Sequence, residues 1–199
     1  MLAIGLSELT TLELRGAAIG ELGARILANA PILRNVRYLD LTNNSLGAGV
    51  AVLVASINLG MLLELRPGDN NCGDAGAVAL ATCPRLTQLA VLHLDNIGIG
   101  DAGAQALIAS PYLARVHTLH LSGNTIGDAG AMALAEAPRS ACLRALELET
   151  NQIGLAGARA LLDSPYLDQV TIDLDGNPCG WGLCRIPVRN GSGDPAAPN

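Results

Sequence analysis

The chain has 199 residues, half of them apolar, which is enough to fill a hydrophobic core and excludes wholesale disorder. All 12 basic residues are Arg, so the Lys-dependent chemistry of Schiff bases, phosphate loops and kinases is excluded. A net charge of −6 argues against nucleic acid as a partner. No apolar run approaches the ~18 residues that a membrane span needs, so we expect no membrane partner either.

The cysteines and the N-terminus bear on the cellular compartment. The five cysteines are an odd number at scattered positions, which argues against a secreted disulfide framework. Residues 1–6 are apolar, but they are too few for a signal peptide and include no basic residue. We therefore expect a cytoplasmic protein.

An internal repeat runs through most of the chain. Successive units align on one glycine each, with spacings of 27, 26, 27, 27, 27 and 26 residues. These anchor glycines are Gly20, Gly47, Gly73, Gly100, Gly127, Gly154 and Gly180. Most units carry apolar residues eight and six positions before the glycine, which places two side chains on one face of a short strand. We expect parallel strands centred near residues 13, 40, 64, 93, 120, 147 and 173.

The third unit departs from this spacing. Its apolar pair, Leu63 and Leu65, stands two residues further from Gly73 than in the other units. Two residues inserted around Pro67 and Gly68 would account for the difference. The sequence therefore predicts a local bulge at this point.

The anchor glycines are followed by apolar residues at helical spacing, as in segment 101–109. Asp74, Asp101 and Asp128 lie at the start of three of these segments, where an acid at the N-cap or in the first turn is favoured by the unpaired amides and the helix dipole. Glycine in the first turn, as at Gly103, indicates that the helix approaches the sheet closely. Each unit is thus predicted to be a strand, a turn, a helix and a return loop that depends on its neighbours for burial.

Two segments carry a family resemblance. Leu-His-Leu-Ser-Gly-Asn-Thr-Ile-Gly-Asp-Ala-Gly-Ala (119–131) and Leu-Glu-Leu-Glu-Thr-Asn-Gln-Ile-Gly-Leu-Ala-Gly-Ala (146–158) resemble leucine-rich repeats of the ribonuclease-inhibitor type. The Gly-Ala-x-Ala-Leu-Ala helices are similar to bacterial GALA-type repeats. The resemblance implies an α/β fold, a leucine-rich repeat solenoid shaped as a curved horseshoe. It would have about seven strand–helix repeats of 26–27 residues, with a parallel sheet on its concave face.

The resemblance also implies a ladder of asparagines at the strand exits, which satisfies backbone groups that would otherwise be unpaired. The matching residues are Asn44, Asn70, Asn124, Asn151 and Asn177. Ala17 and Ile97 interrupt the series in the first and fourth units.

One domain is expected, residues 1–187, which includes a C-terminal cap. Trp181, Leu183, Cys184 and Ile186 are the apolar residues expected to fold over the last strand. Residues 188–199 are expected to form a disordered tail, because the last ten residues are mainly Gly, Ser, Pro, Ala and Asn.

The side chains that flank the core residues of each strand should point out of the concave face. Parallel neighbours lie about 4.8 Å apart, so His93 and His120 should be adjacent, with Glu64 and Glu147 on either side. The predicted partner-binding residues are Glu13, Asp40, Glu64, His93, Asp95, His120, Glu147, Glu149, Asp173 and Asp175. Arg66 is expected in the next column of this face.

Four of these residues form an acidic block at the C-terminal end of the face, namely Glu147, Glu149, Asp173 and Asp175. Such a block suits a partner with a basic surface. The alternative is that the acids are solvated charges that only keep an apolar solenoid soluble.

Chemical sites are weakly indicated. His93, His120 and the adjacent carboxylates could hold a divalent metal, but two solvated residues on a polar surface would also explain the pair. Cys179 and Cys184 form a C-x4-C pair, yet Cys179 fills an apolar position before an anchor glycine, which indicates a buried thiol. We predict no catalytic residue, no resident metal and no cofactor.

The predicted function is a non-enzymatic protein–protein interaction module that binds a basic partner on its acidic concave face. The resemblance implies protein binding, because ribonuclease-inhibitor-type solenoids commonly work in this way. Two alternatives stay open. One is a regulator of a GTPase or another enzyme through the same repeats, and the other is a metal site at His93 and His120.

Overall fold

The structure, a computed structural model, describes residues 8–179 and 185–186. Within these residues, seven strands recur along the chain, β1 to β7: Thr11–Glu13, Tyr38–Asp40, Glu64–Arg66, Val91–His93, Thr118–His120, Ala145–Glu147 and Thr171–Asp173. Six helices alternate with them, α1 to α6: Gly20–Ala28, Gly49–Val54, Gly73–Ala81, Asp101–Ala109, Asp128–Glu136 and Leu155–Leu162. Two short 3-10 helices, Pro31–Asn35 and Pro138–Cys142, lie in return loops.

The strands form one open sheet in chain order, and β1 to β7 are all parallel. Each strand is centred within one residue of its predicted position, so the predicted α/β leucine-rich repeat solenoid is confirmed. A last strand, β8 (Arg185–Ile186), pairs antiparallel with β7 and places Ile186 opposite Ile172. The other residues predicted to form the C-terminal cap, and the predicted tail, lie outside the described residues.

The core lies between the sheet and the helices and consists of aliphatic side chains. Each of the second to sixth units contributes its strand leucine, its apolar residue before the anchor glycine, and the inner face of its helix. In the fifth unit these are Leu119, Ile126, Ala131 and Leu134, all buried. No described helix is long and apolar enough to cross a membrane.

The third unit has no bulge, which corrects the prediction from spacing. Leu65 pairs in register with Leu39 on one side and Leu92 on the other. Leu63 is 43% exposed, so it is not part of the strand core. The second core position of this strand is instead occupied by Pro67, which is buried. The unit therefore keeps the spacing of its neighbours without an insertion.

The asparagine ladder is present at all five expected positions. The side chains of Asn44, Asn70, Asn124, Asn151 and Asn177 are buried. Asn124 shows the pattern, since its Nδ2 donates to the carbonyl oxygens of Leu94 and Leu121 at 2.8 and 2.9 Å. Its Oδ1 accepts from the backbone N–H groups of Ile97 and Ile99 at 3.2 and 2.9 Å. Each asparagine thus bonds to backbone groups in the turn of the preceding unit.

A second ladder, of aspartates, lies at the helix N-termini. Asp101 Oδ1 accepts from the backbone N–H groups of Gly127 and Gly130 at 2.7 and 2.8 Å. Asp74 and Asp128 make the same pair of bonds to the units that follow them. Each acid lies in the first turn of its own helix, as predicted, but its side chain bonds to the start of the next helix.

This ladder also explains the glycine in the first turn of the helices. A Cβ added at Gly130 would stand 2.7 Å from Asp101 Oδ1 and 2.7 Å from Cγ2 of Ile126. The close approach is therefore to the preceding helix and the unit's own core, and not to the sheet as predicted.

The anchor glycines adopt two conformations. Where the preceding unit has no Asp in the ladder position, Gly47 and Gly73 have φ of +48° and +58°, a region that favours glycine. Their N–H groups then bond to the carbonyl oxygens of Asn70 and Ile97 at 3.1 and 2.7 Å. Where an Asp precedes, as at Gly100, the backbone is extended and the N–H turns to the carboxylate.

Candidate functional site

The face of the sheet that points away from the helices is the candidate site, and we call it the open sheet face. Strand alternation sends the two residues that flank each buried leucine to this face. The middle column of side chains is Glu13, Asp40, Arg66, His93, His120, Glu147 and Asp173. The next column is Arg15, Thr42, Asp95, Ser122, Glu149 and Asp175, with Gly68 at the third unit.

The corrected register of β3 changes two predicted positions. Arg66 lies opposite Asp40 in the middle column, where the sequence had placed Glu64. Glu64 lies one column earlier, opposite Tyr38 and Val91. Both side chains still belong to the open sheet face, so Glu64 keeps its predicted contact with the histidines from a diagonal position.

His93 and His120 stack at the centre of the face. They are paired in register on β4 and β5, and their ring centroids lie 3.9 Å apart at an interplanar angle of 14°. Both side chains are only 17% exposed. The predicted adjacency of the two imidazoles is therefore present in the structure.

A carboxylate contacts each imidazole. Glu64 Oε1 lies 3.1 Å from His93 Nε2, and Glu147 Oε2 lies 2.5 Å from His120 Nδ1. Glu64 also binds the Arg66 Nε at 2.7 Å. The guanidinium of Arg66 in turn lies over the ring of Tyr38, 5.2 Å from its centroid. Together with the stacked imidazoles, these contacts link five neighbouring strands, β2 to β6, across the centre of the face.

Asp95 lies beside the histidines in the next column. One ligand atom of His93, one of Asp95 and one of His120 lie within 4.8 Å of one another. Asp95 Oδ1 accepts from the backbone N–H of Ser122 at 3.1 Å. Burial raises the pKa of the Asp95 carboxyl above its ordinary value, against a smaller lowering by His120.

The surroundings of the pair favour neutral imidazole at His93. Burial, together with the nearby His120 and Arg66, lowers the pKa of His93 to about 4, although Glu64 opposes the shift. Two stacked cations would repel each other strongly at this separation. His93 is therefore held in its neutral form at neutral pH, in which one ring nitrogen keeps its lone pair.

The acidic block lies on β6, β7 and the residues that follow them. Glu147 and Asp173 are directly opposite in the register, and the chain after them places Glu149 beside Asp175. Burial, followed by repulsion from Asp173, raises the pKa of Glu149 above its ordinary value. Glu147 and Asp175 add smaller effects of the same sign. The four carboxylates thus lie within electrostatic range of one another.

The predicted residues differ in how accessible they are. Asp40 is only 7% exposed, and its Oδ1 accepts from the backbone N–H of Thr42 at 2.9 Å. Glu13, at the other end of the scale, is exposed on β1. Tyr38 and Arg66 are members of the face that the predicted site left out. The sequence contains a signal that identifies them. Leu65 lies 26 residues after Leu39 and 27 before Leu92, so the repeat period itself places Leu65 in the core and Arg66 on the open sheet face.

The cysteines take structural positions. Cys72 and Cys179 are buried before their anchor positions, as predicted, and Cys142 is exposed. Cys83 fills the slot that serine takes in other units, and its Sγ contacts the carbonyl oxygen of Val54 at 2.8 Å. Ser110 makes the equivalent bond to the carbonyl oxygen of Ala81 at 2.5 Å. Cys184 lies outside the described residues.

Comparison with known protein families identifies the repeat in part of the chain. A family model described as Leucine Rich repeat matches residues 116–135 and 139–162, which hold the fifth and sixth units. The chain is similar to the crystal structure of an internalin C2 from Listeria monocytogenes, with 19% identity, coverage of 87% of this chain and 80% of that chain, and a TM-score of 0.41. A second internalin from the same organism has 17% identity, coverage of 86% and 75%, and a TM-score of 0.32. No curated protein matches the chain.

The repeat match and the strand register together support a leucine-rich repeat protein. Proteins built from such repeats generally serve as interaction modules and bind protein partners, because stacked units present one extended surface.

Proposed function

We propose that the chain is a non-enzymatic binding module whose open sheet face, concave in the assembled solenoid, contacts a protein with an Arg- or Lys-rich surface. The repeats belong, in this proposal, to the ribonuclease-inhibitor-like or GALA subtype. The 26- to 27-residue spacing and the full α-helices of most units support that subtype. Cys72, Cys83 and Cys142 are free thiols, which supports a reducing, cytoplasmic location.

The acidic block carries the proposal. Burial and the acidic neighbours raise the pKa of the Glu149 carboxyl. The unbound protein therefore holds the carboxylates of the acidic block together at an electrostatic cost. A cationic partner surface would remove that cost on binding. Charged residues whose only role is solubility do not need to converge on one site.

Long-range attraction should also make the association fast and sensitive to salt. The screening length is about 10 Å at 0.1 M ionic strength, so steering by the block weakens as salt is added. We expect the association rate with a basic partner to fall as the salt concentration rises from ~0.05 to ~0.5 M.

The test compares two variants of equal net charge. The block variant carries Glu147→Gln, Glu149→Gln, Asp173→Asn and Asp175→Asn. The control variant neutralises four exposed acids outside the open sheet face, with the changes Glu8→Gln, Glu136→Gln, Asp163→Asn and Asp168→Asn. An oligo-arginine peptide is the first probe, followed by any protein that the wild type captures, and circular dichroism checks the fold.

We expect the block variant to lose at least about tenfold in affinity, equivalent to about 1.4 kcal/mol, together with most of the salt dependence. The control variant should bind nearly as well as the wild type. Equal losses in both variants would show that only net charge matters, and unchanged binding by a folded block variant would reject the block as a contact surface.

A further inference from the structure

We propose that His93, Asp95 and His120 form a binding site for a borderline divalent transition-metal ion, such as Zn²⁺, on the open sheet face. The inference goes beyond protein binding and does not depend on it. Two imidazoles and a carboxylate are a donor set that such ions prefer, and three protein ligands leave one position open.

The first support is the way the sheet places the three residues. His93 and His120 are register partners on adjacent parallel strands, and Asp95 follows His93 by two positions on the same face. One ligand atom from each of the three side chains lies within 4.8 Å of the other two. The three side chains are therefore close enough for one ion to bridge them once the imidazole rings rotate.

The second support is the carboxylate behind each imidazole. Glu147 Oε2 lies 2.5 Å from His120 Nδ1, so the carboxylate acts as acceptor and favours the proton on Nδ1. Glu64 Oε1 does the same for His93 Nε2 at 3.1 Å. In the neutral form of each ring, the other nitrogen then carries the lone pair. This nitrogen is Nε2 in His120 and Nδ1 in His93. Such carboxylate partners of metal-binding histidines orient the ring and raise its basicity.

The stacked rings must rotate for the ion to bind. A metal ion lies in the plane of the imidazole ring that binds it. Two rings stacked at 14° lie in nearly parallel planes, so one ion cannot lie in the plane of both. Coordination therefore requires the two planes to turn towards a common point and to break the stack. The three carboxylates near the pair, those of Glu64, Asp95 and Glu147, would balance the charges of a divalent ion and of Arg66.

The test is calorimetric titration of the full chain with ZnCl₂ near neutral pH. We expect one ion per chain in the wild type. Asp95→Asn and His120→Gln should each weaken binding by at least about tenfold, and Glu147→Gln should weaken it by about 10–100-fold through the lost orientation of His120. His117→Gln is the matched control, because His117 lies in the loop before β5 and should leave binding unchanged.

Cysteine is the competing source of zinc ligands, and a second measurement separates it. Co²⁺ in place of Zn²⁺ should give the visible absorption of a nitrogen and oxygen site without a sulfur charge-transfer band, and Cys142→Ser should bind as the wild type does. Circular dichroism establishes that each variant is folded. The proposal is overturned if the wild type binds no ion stoichiometrically, if folded Asp95→Asn and His120→Gln variants bind normally, or if the sulfur band appears. Asp95 is outside the acidic block, so this result and the partner-binding result can be told apart.

Discussion

Leu121 lies in the middle of the stack and is fully buried. Its replacement by Ala should lower the free energy of unfolding by about 2–5 kcal/mol, because transfer energy is lost and a cavity remains. Chemical denaturation of both proteins measures the difference. Leu63→Ala is the control, because Leu63 is 43% exposed and should change stability by less than about 1 kcal/mol. A loss below that value for Leu121 would mean that the position is not core.

Glu149 predicts a dependence of stability on pH. Its folded-state pKa is raised, so its stabilising contribution is present at pH values below the ordinary carboxyl range and is lost as the pH rises through the raised value. Glu149→Gln should therefore stabilise the protein at pH 7, by less than about 1 kcal/mol because the side chain is only partly buried. That gain should shrink towards pH 4 as the wild-type carboxyl becomes protonated.

Thermal melts of the wild type and the variant across this pH range test the prediction. Glu21→Gln is the matched control, since Glu21 is ion-paired with Arg25 at 2.9 Å on the surface of α1. Loss of this ion pair should destabilise the protein slightly at pH 7, by about 0.3–0.5 kcal/mol. A Glu149→Gln variant that is less stable than the wild type at pH 7 would contradict the repulsion described above.

Single residues also show where the sequence was ambiguous. Leu63 and Leu65 satisfy the L-x-L pattern as well as Leu39 and Leu41 do, so the pattern alone does not distinguish the two registers. The structure selects the one in which Pro67 takes the second core position. Pro67 takes this position because the third unit then keeps the spacing of its neighbours. A search for leucine pairs does not consider proline at a core position.

At the scale of the elements, each ladder acid supports the helix of the next unit. Asp101→Ala removes two hydrogen bonds, to the N–H groups of Gly127 and Gly130 at the start of α5. We expect a loss of about 0.5–2 kcal/mol in the free energy of unfolding, the range found for helix caps. Asp168→Ala, at an exposed acid in a return loop, should stay within about 0.5 kcal/mol of the wild type. Equal effects of the two changes in denaturant melts would show that the ladder contributes no stability.

The helices and strands could be predicted from the sequence, but their connections could not. Helical spacing and prolines locate the helices, and a polar residue at the helix start is a known capping signal. That signal does not reveal whether Asp101 caps its own helix or a helix 26 residues later. The answer depends on how the units stack, which is a property of neighbouring units and not of one unit's sequence.

At the scale of the whole molecule, each strand from β1 to β7 pairs only with its neighbours in the chain. A local defect should therefore destabilise nearby units most, because the energy of such an array is a sum of unit and interface contributions. In Leu121→Ala, hydrogen exchange should increase more around β4, β5 and β6 than around β1. Mass spectrometry of peptides from each unit measures this, and a uniform increase would mean that the array opens as one unit.

The candidate site was predictable to the extent that it follows from strand alternation. The adjacency of His93 and His120 followed from the 27-residue spacing alone. The contact of Arg66 with Tyr38 and the burial of Asp40 did not, since both depend on the register of β3 and on side-chain rotamers.

The two ladders give the array a direction. Asparagine reaches back, as Asn124 does to the turn of the fourth unit, whereas aspartate reaches forward, as Asp101 does to α5. The fourth, fifth and sixth units are thus each completed from both sides, by an amide from the unit after and a carboxylate from the unit before. A single repeat moved into another protein would lack both the asparagine amide of the following unit and the aspartate carboxylate of the preceding unit. A graft of one full period that also keeps the ladder residues of both flanking units is the smallest transfer that leaves the backbone groups bonded by the two ladders satisfied.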